Sequence, residues 1–166
     1  MEHRFIRTEL VLGAENLQRL QAAKVAVVGL GGVGGHAAEA LARSGVGTLI
    51  LIDHDLVAIS NLNRQIVALE ATIGRPKVEV MAERIAQINP ACRVIAHQVY
   101  YSRENHQQLL PEDLTFVADA IDSVRSKVDL IEACLKQGIP LISSLGAGNK
   151  VDPTRLKVAD ISQTHT

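Results

Sequence analysis

The glycines that follow the first apolar run of the chain are its clearest chemical signal. Residues 25–28, all Val or Ala, lead into a glycine-rich stretch that fits the pattern GxGxxG and then into a helical pattern. Glycines let the backbone approach phosphate oxygens, and a helix N-terminus offers unpaired N–H groups to an anion. The sequence therefore predicts a nucleotide-binding turn. Its glycines are Gly29, Gly31, Gly32 and Gly34.

Two carboxylates follow the second apolar run. Asp53 ends that run 19 residues after Gly34, where an acid can accept hydrogen bonds from ribose hydroxyls. Asp55 adds a second carboxylate on the same side of the strand end. The glycines and Asp53 alone suffice for a nicotinamide dinucleotide, so a NAD-dependent oxidoreductase is one alternative.

Two cations move the prediction from NAD towards ATP. Arg64 and Lys77 would supply fixed positive charge to a polyphosphate, Arg64 by its planar fork and Lys77 as a point charge. A pyrophosphate needs only the glycines and a helix end, so the added cations suggest that a triphosphate is cleaved. The polar residues that accompany Arg64 are Ser60, Asn61 and Asn63.

A further acid, Asp122, lies just past the apolar run 116–121. In an open parallel sheet that position is the carboxyl edge, where ligands bind. Asp122 could hold Mg²⁺ or water, or it could form part of a helix cap together with Ser123.

The composition predicts one domain with an aliphatic core. Of 166 residues 47% are hydrophobic but only 2% aromatic, which suits strands buried on both faces of a parallel sheet. A net charge of −1 argues against a generally basic surface for nucleic acid. The chain has no apolar signal region and no run near the roughly 18 apolar residues of a membrane span, so we expect a cytoplasmic protein without membrane contact.

Strand and helix patterns alternate from residue 24 onwards, which predicts a Rossmann-like, doubly wound α/β domain with a mostly parallel sheet and flanking helices. We expect residues 1–23 to form an N-terminal helical arm, with Thr8 as a cap, and 24–166 the nucleotide-binding domain. Ser102 and Ser123 are expected helix caps, and 156–161 one more strand. The predicted strands are 25–29, 48–53, 93–99, 115–120 and 140–144, and the predicted helices 32–44, 75–88, 103–109 and 124–137.

The chain stops without a closing helix, and we expect the natural protein to be longer. Any catalytic thiol would then lie beyond Thr166. Cys92, at a strand start, and Cys134, in an apolar helix, both fit core packing.

Taken together, these residues resemble the ATP-dependent activating enzymes of the ubiquitin-activating, thiamine- and molybdopterin-biosynthesis superfamily. The likeness runs from Arg4 to about Thr166 and rests on GxGGxG, Asp53, Asp55, Asp122 and two segments. The segments are Ser60-Asn61-Leu62-Asn63-Arg64-Gln65 and Gly74-Arg75-Pro76-Lys77.

Within the superfamily the sequence is most similar to the tRNA threonylcarbamoyladenosine dehydratases, which use ATP to close the threonylcarbamoyl side chain of a modified adenosine into a ring. This resemblance implies a ligase-type adenylating enzyme with ATP and Mg²⁺ as cofactors, a tRNA carrying threonylcarbamoyladenosine as partner, and a homodimer. The segments that carry it are 4–9, 63–69, 78–85, 119–123 and 152–155.

The resemblance also implies roles by position. Gly32 and neighbouring loop N–H groups would contact phosphates, and Asp53 would hold the ribose. Asp122 would ligate Mg²⁺, with Ser123 beside it. Arg7 occupies the position of an N-terminal Arg that reaches the partner's active site in relatives that dimerise. The side chains that would hold the phosphates are Asn61, Asn63, Arg64 and Lys77.

Three alternatives to the dehydratase follow, in decreasing order. The first is adenylation of the C-terminal Gly of a ubiquitin-like sulfur carrier, which would make a sulfur-carrier or sulfur-acceptor protein the partner. The paired CxxC zinc motifs common in relatives that activate such carriers do not occur in this sequence. The second is the NAD-dependent oxidoreductase. The third is a nucleotide-binding scaffold without turnover.

Overall fold

A parallel sheet of five strands forms the centre of the computed structural model, which describes residues 3–146 and 151–164. The strand order is β3-β2-β1-β4-β5, and each neighbouring pair is parallel. The predicted Rossmann-like, doubly wound α/β fold is therefore confirmed. The strands are β1 Lys24–Val28, β2 Thr48–Ile52, β3 Arg93–His97, β4 Phe116–Asp119 and β5 Leu141–Ser143.

Helices connect the strands, and the helices that follow β1 and β4 both end at a glycine. The helix between β1 and β2 ends at Gly45 (φ 101°) and the one before β5 ends at Gly138 (φ 67°), both in the left-handed region. No helix in the described ranges has the length and apolar character needed to cross a membrane. The helices are α1 Ile6–Leu12, α2 Ala14–Ala22, α3 Gly34–Ser44, α4 Lys77–Ile88, α5 His106–Leu109 and α6 Val124–Gln137.

Two apolar clusters cover the faces of the sheet, because alternate strand residues point to opposite sides. Val25 and Val27 of β1 pack with side chains of α3 and α4 on one face. Ala26 and Val28 pack with side chains of α5 and α6 on the other. Burial of β1 and β2 on both faces explains why their sequences are continuous aliphatic runs.

The order of the strands fixes where a ligand can bind. The chain runs outward from β1 to β3 and then returns to place β4 on the other side of β1. The connections after β1 and β4 therefore leave the sheet in opposite directions and open a crevice at its carboxyl edge. The glycine turn follows β1, and Asp122 follows β4.

Several local predictions are wrong, one predicted strand among them, although the five strands of the sheet and the helices between them overlap their predicted ranges. Thr8 is not a cap, because α1 already begins at Ile6. Ser102 is not a cap either: Asn105 precedes α5 and accepts the Ser102 N–H with its own side chain. The predicted strand 156–161 does not form: residues 156–160 lie exposed between two short 3-10 turns, and Ile161 begins the second of them.

Candidate functional site

The glycine turn after β1 has two positions where no side chain fits. Gly29 has a φ of 88°, and a Cβ there would lie 2.7 Å from the Ala120 carbonyl oxygen. A Cβ on Gly34 would lie 1.7 Å from the carbonyl oxygen of Gly29. Both clashes are with backbone, so no side-chain rotation relieves them. The tight turn into α3 therefore requires glycine at both positions.

The middle of the turn is covered by residues from the connection between β2 and α4. Three consecutive side chains of that connection lie along the turn and the start of α3. Arg64 Cγ lies 3.6 Å from the point where a Cβ would stand on Gly32. The corresponding distances are 3.9 Å for Gln65 Nε2 and Gly31, and 3.1 Å for Ile66 Cγ2 and Gly35.

Arg64 is held in place beside the turn by its own segment. Its Nη1 donates to the carbonyl oxygen of Ser60 and to Oδ1 of Asn63, both at 3.0 Å. The side chain of Asn61 has a structural task, because its Oδ1 accepts the N–H of Ala58 at 2.9 Å. The Nδ2 of Asn61 remains as a donor for a ligand. The segment thus presents a pre-oriented guanidinium with polar groups around it.

Asp53 binds the glycine turn directly. Its Oδ2 accepts the N–H of Leu30 at 2.6 Å, and its Oδ1 accepts the N–H of Asp55 at 2.8 Å. Asp53 as a residue is 9% exposed, and it follows β2 directly at the carboxyl edge of the sheet. Each oxygen keeps a further lone pair, so Asp53 could accept ribose hydroxyls while it anchors the turn.

Lys77 and Asp55 form an ion pair at the rim of the crevice. Lys77 Nζ lies 2.7 Å from Asp55 Oδ2, and the Lys77 side chain is 4% exposed. The Lys77 backbone N–H also donates to the Asp55 carbonyl oxygen at 3.1 Å, which fixes the first turn of α4 against the strand end. His54 Nε2 approaches the other oxygen of Asp55 at 3.2 Å. Lys77, which the sequence predicts to bind phosphate, is thus already paired with the carboxylate of Asp55.

Asp53, His54 and Asp55 place three potential ligand atoms within 4.8 Å of one another. Their charge is largely committed, since Asp55 is paired with Lys77 and Asp53 accepts two backbone N–H groups. Asp122, exposed at the end of β4, is the better candidate to hold a cation. Asp122 thus remains the metal-binding candidate that the sequence predicts.

A buried ion pair supports the turn that carries Asp122. Asp119 Oδ1 accepts the Ile121 N–H at 2.9 Å, while its Oδ2 accepts Lys127 Nζ at 2.8 Å and Ser143 Oγ at 2.6 Å. Asp119 and Lys127 have side chains 0% and 9% exposed. The sequence patterns did not predict this cluster, although a charged residue inside an apolar strand was a visible signal.

Ser123 caps α6 as predicted, and it also joins a network that the sequence does not reveal. Its Oγ accepts the Ser126 N–H at 3.5 Å and the Tyr100 hydroxyl at 3.2 Å. Ser126 Oγ donates to the Tyr100 hydroxyl at 2.9 Å. The hydrogen bond to Ser123 and, as a second cause, that to Ser126 lower the pKa of Tyr100. The Tyr100 ring stands edge-on to His54, with centroids 5.0 Å apart.

Arg7 is the one predicted site residue that the single chain does not bring to the crevice. Its helix, α1, lies at the amino edge of the sheet, where Phe5 and Leu17 contact Gly45 just before β2. The glycine turn lies at the opposite edge. Arg7 is exposed there, so a role at a nucleotide site would require a second copy of the chain.

A glycine turn at the switch point of a doubly wound parallel sheet marks a nucleotide-binding domain. The chain belongs to the ThiF family, whose sequence pattern matches residues 3–164. The superfamily resemblance inferred from the motifs is thereby confirmed.

Individual relatives agree with this family. A tRNA threonylcarbamoyladenosine dehydratase of Bacillus subtilis (strain 168) is 54% identical over 166 residues, which are 100% of this chain and 65% of that protein. The Escherichia coli (strain K12) dehydratase is 48% identical over 97% of this chain and 60% of its own length. A crystal structure of the E. coli enzyme in complex with ATP superposes with a TM-score of 0.95, at 48% identity, over 97% of this chain and 66% of that chain. The chain thus spans about two thirds of the length of these relatives.

Proposed function

We propose that this chain is the ATP-binding, adenylating part of an enzyme that cyclises threonylcarbamoyladenosine in tRNA. The observation that carries the proposal is the side chain of Arg64, whose Cγ and Cδ lie against Gly32 and whose guanidinium is held by Ser60 and Asn63 beside the phosphate-binding turn. A dinucleotide fold used for hydride transfer has no need of a cation at that place. The similarity to a dehydratase with ATP bound supports the choice of nucleotide and of substrate.

The first step is attack of the substrate carboxylate on the α-phosphate of ATP. A bond forms between the carboxylate oxygen and the α-phosphorus, the bond from that phosphorus to the β-bridging oxygen breaks, and pyrophosphate leaves. Both reactants are anions, so the site must cancel charge as the transition state forms. Arg64, Lys77 and the N–H groups of the glycine turn supply that charge from fixed positions.

Lys77 can serve the nucleotide without leaving Asp55. An ammonium group has three N–H donors, and the ion pair with Asp55 uses one of them. The remaining donors can reach phosphate oxygens at the rim of the crevice. The carboxylate of Asp55 keeps the ammonium directed while the ligand enters.

Asp122 fits a Mg²⁺ ion that would accompany ATP. Mg²⁺ is commonly bound through one or two carboxylates together with phosphate oxygens and waters, and an exposed Asp at the carboxyl edge offers that arrangement. The ion would neutralise charge on the polyphosphate. The Asp119–Ile121 hydrogen bond holds the turn on which Asp122 stands.

The second step needs no protein nucleophile. The carbamoyl group of the same molecule attacks the activated acyl carbon, a ring closes and AMP leaves, so proximity replaces a thiol relay. The two cysteines suit this scheme, since both are buried. Burial raises the pKa of the Cys134 thiol to about 11, which keeps it protonated.

The function is tested by pyrophosphate exchange into ATP with the full-length enzyme. We expect exchange to depend on tRNA that carries threonylcarbamoyladenosine, and Arg64→Ala and Lys77→Ala each to lower it about a hundredfold or more without unfolding the protein. Arg75→Ala is the matched control, because Arg75 lies in the same region but pairs with Glu83 on the surface. Exchange that requires a small ubiquitin-like protein instead of tRNA would favour the sulfur-carrier alternative. Binding of NAD with no binding of ATP would refute adenylation altogether.

We also propose that the enzyme is a homodimer in which Arg7 acts across the interface. Leu10 and Val11 of α1 are 72% and 82% exposed, and no residue of α1 is buried, which suits a helix that packs on another copy. Light scattering should give twice the chain mass. Mixing inactive Arg7→Ala and Lys77→Ala proteins should restore part of the exchange activity, because one site of each mixed dimer would have both residues intact. A monomeric, active enzyme would exclude this arrangement.

A further inference from the structure

Gln65 is a buried amide beside the phosphate-binding turn. Gln65 is only 7% exposed, and its Oε1 is buried without a hydrogen-bond partner among the described residues. Its Nε2 is the end of the amide that lies towards Gly31. The amide therefore turns its donor end to the turn and leaves its acceptor end unpaired.

The backbone around Gln65 fixes this direction. The Gln65 N–H donates to the Asn61 carbonyl oxygen at 2.9 Å, and the Gln65 carbonyl oxygen accepts the Ala68 N–H at 3.0 Å. The flanking side chains Arg64 and Ile66 lie against Gly32 and Gly35. Gln65 thus stands in a row of three side chains that lie along the turn.

An unpaired buried amide oxygen destabilises a fold, because it loses its hydrogen bonds to water and gains none in return. A Met side chain would fill nearly the same volume without that loss. Packing alone therefore does not explain an amide at this position. A donor aimed at an anion site does, since the N–H groups of an amide can bind phosphate oxygens and a thioether cannot.

We propose that Gln65 is a further binding residue of the nucleotide site, whose Nε2 donates to the polyphosphate seated over Gly31. The inference rests on the proposed function, because it takes ATP as the ligand of the turn. Gln65 then acts beside Arg64: the Arg64 side chain, whose Cγ and Cδ lie against Gly32, supplies charge, and the amide supplies a neutral donor over Gly31. The unpaired oxygen is the energetic consequence of directing the other end of the amide to the ligand.

The test compares Gln65→Met and Gln65→Glu with the unaltered protein. Affinities for ATP and for adenosine are measured by calorimetry, and the melting temperature by scanning calorimetry. We expect Gln65→Met to melt at the same or a higher temperature, to bind ATP about tenfold more weakly through loss of a hydrogen bond to a charged group, and to bind adenosine unchanged. Gln65→Glu keeps the shape but sets a carboxylate against the phosphates, so its loss of ATP affinity should be larger still.

Asn89→Leu is the matched control. Asn89 is a second buried amide with an unpaired oxygen, but its Nδ2 lies 3.4 Å from the carbonyl oxygens of Ala42 and Val46, at the end of α3 away from the turn. This variant should melt at a lower temperature and bind ATP normally.

Two outcomes separate this inference from the proposed function. If the unaltered protein binds ATP and Gln65→Met binds it equally well, or loses affinity for ATP and adenosine to the same extent, Gln65 is only structural. If the unaltered protein binds no ATP, the proposed function and the role of Gln65 fail together.

Discussion

The buried pair of Asp119 and Lys127 makes the sharpest prediction about stability. Replacing Lys127 with Met keeps most of the volume but leaves a carboxylate with 0% side-chain exposure without its cation. Removing one partner of a buried pair typically costs about 3–5 kcal/mol. Asp119 would keep two hydrogen bonds, from Ser143 Oγ and the Ile121 N–H, so we expect the lower end of that range. Against a typical free energy of unfolding of about 5–15 kcal/mol this loss is large.

A double-mutant cycle measured by urea unfolding at pH 7 checks this reasoning. Asp119→Asn retains the shape and removes the charge; its single oxygen can accept the Ile121 N–H, and its NH2 group can donate to Ser143 Oγ. The double variant Asp119→Asn, Lys127→Met should therefore be more stable than Lys127→Met alone. A loss below about 1 kcal/mol for Lys127→Met, the size expected of an exposed pair, would show that the carboxylate is effectively solvated. Additive effects of the two changes would mean that the pair is not coupled.

Three other predictions follow from single side chains. Hydrogen bonding to Arg84 holds the pKa of Glu39 below its usual 4.5. The stability that Glu39 contributes is therefore present above pH 4.5 and lost as the pH falls through the lowered pKa, so Glu39→Gln should be less stable than the parent at pH 7 and approach it in acid. A difference in stability that stays constant with pH would contradict this. Burial raises the pKa of both Cys92 and Cys134, so neither thiol should react with Ellman's reagent at pH 8 until urea unfolds the chain; reaction of the folded protein would show that a thiol is accessible. The chain has two tyrosines and no tryptophan, and Tyr100 is 49% exposed beside the crevice. ATP should therefore change the tyrosine fluorescence, and Tyr100→Phe should remove that change. A change that survives in Tyr100→Phe would arise from another residue.

The elements of the fold were readable from the sequence because each has a strong local signal. The continuous aliphatic runs of β1 and β2 predict strands buried on both faces, and Gly45 and Gly138 stop their helices where the backbone must become left-handed. The weak elements had no such signal. Residues 156–161 are mostly apolar but have no neighbouring strand in the described structure, and a strand needs a partner for its backbone groups.

The candidate site divides in the same way. Gly29, Gly34 and Asp53 could be recognised because their spacing follows from a strand, a turn and a second strand. Lys127 and Tyr100 could not, because their importance arises from contacts across the fold, with Asp119 of β4 and with Ser123 at the start of α6. Those pairings depend on strand order, which local patterns do not encode.

The ion pair of Lys77 with Asp55 has a consequence for selectivity. A crevice lined with bare cations would capture inorganic phosphate and stretches of RNA backbone as readily as a nucleotide. Here the ammonium is partly neutralised at rest and shielded from solvent, so a lone anion gains little by approaching it. A ligand that also accepts hydrogen bonds from the glycine turn and donates to Asp53 would gain from all three contacts at once. We therefore expect the Lys77–Asp55 pair to weaken the binding of simple anions relative to that of a whole nucleotide.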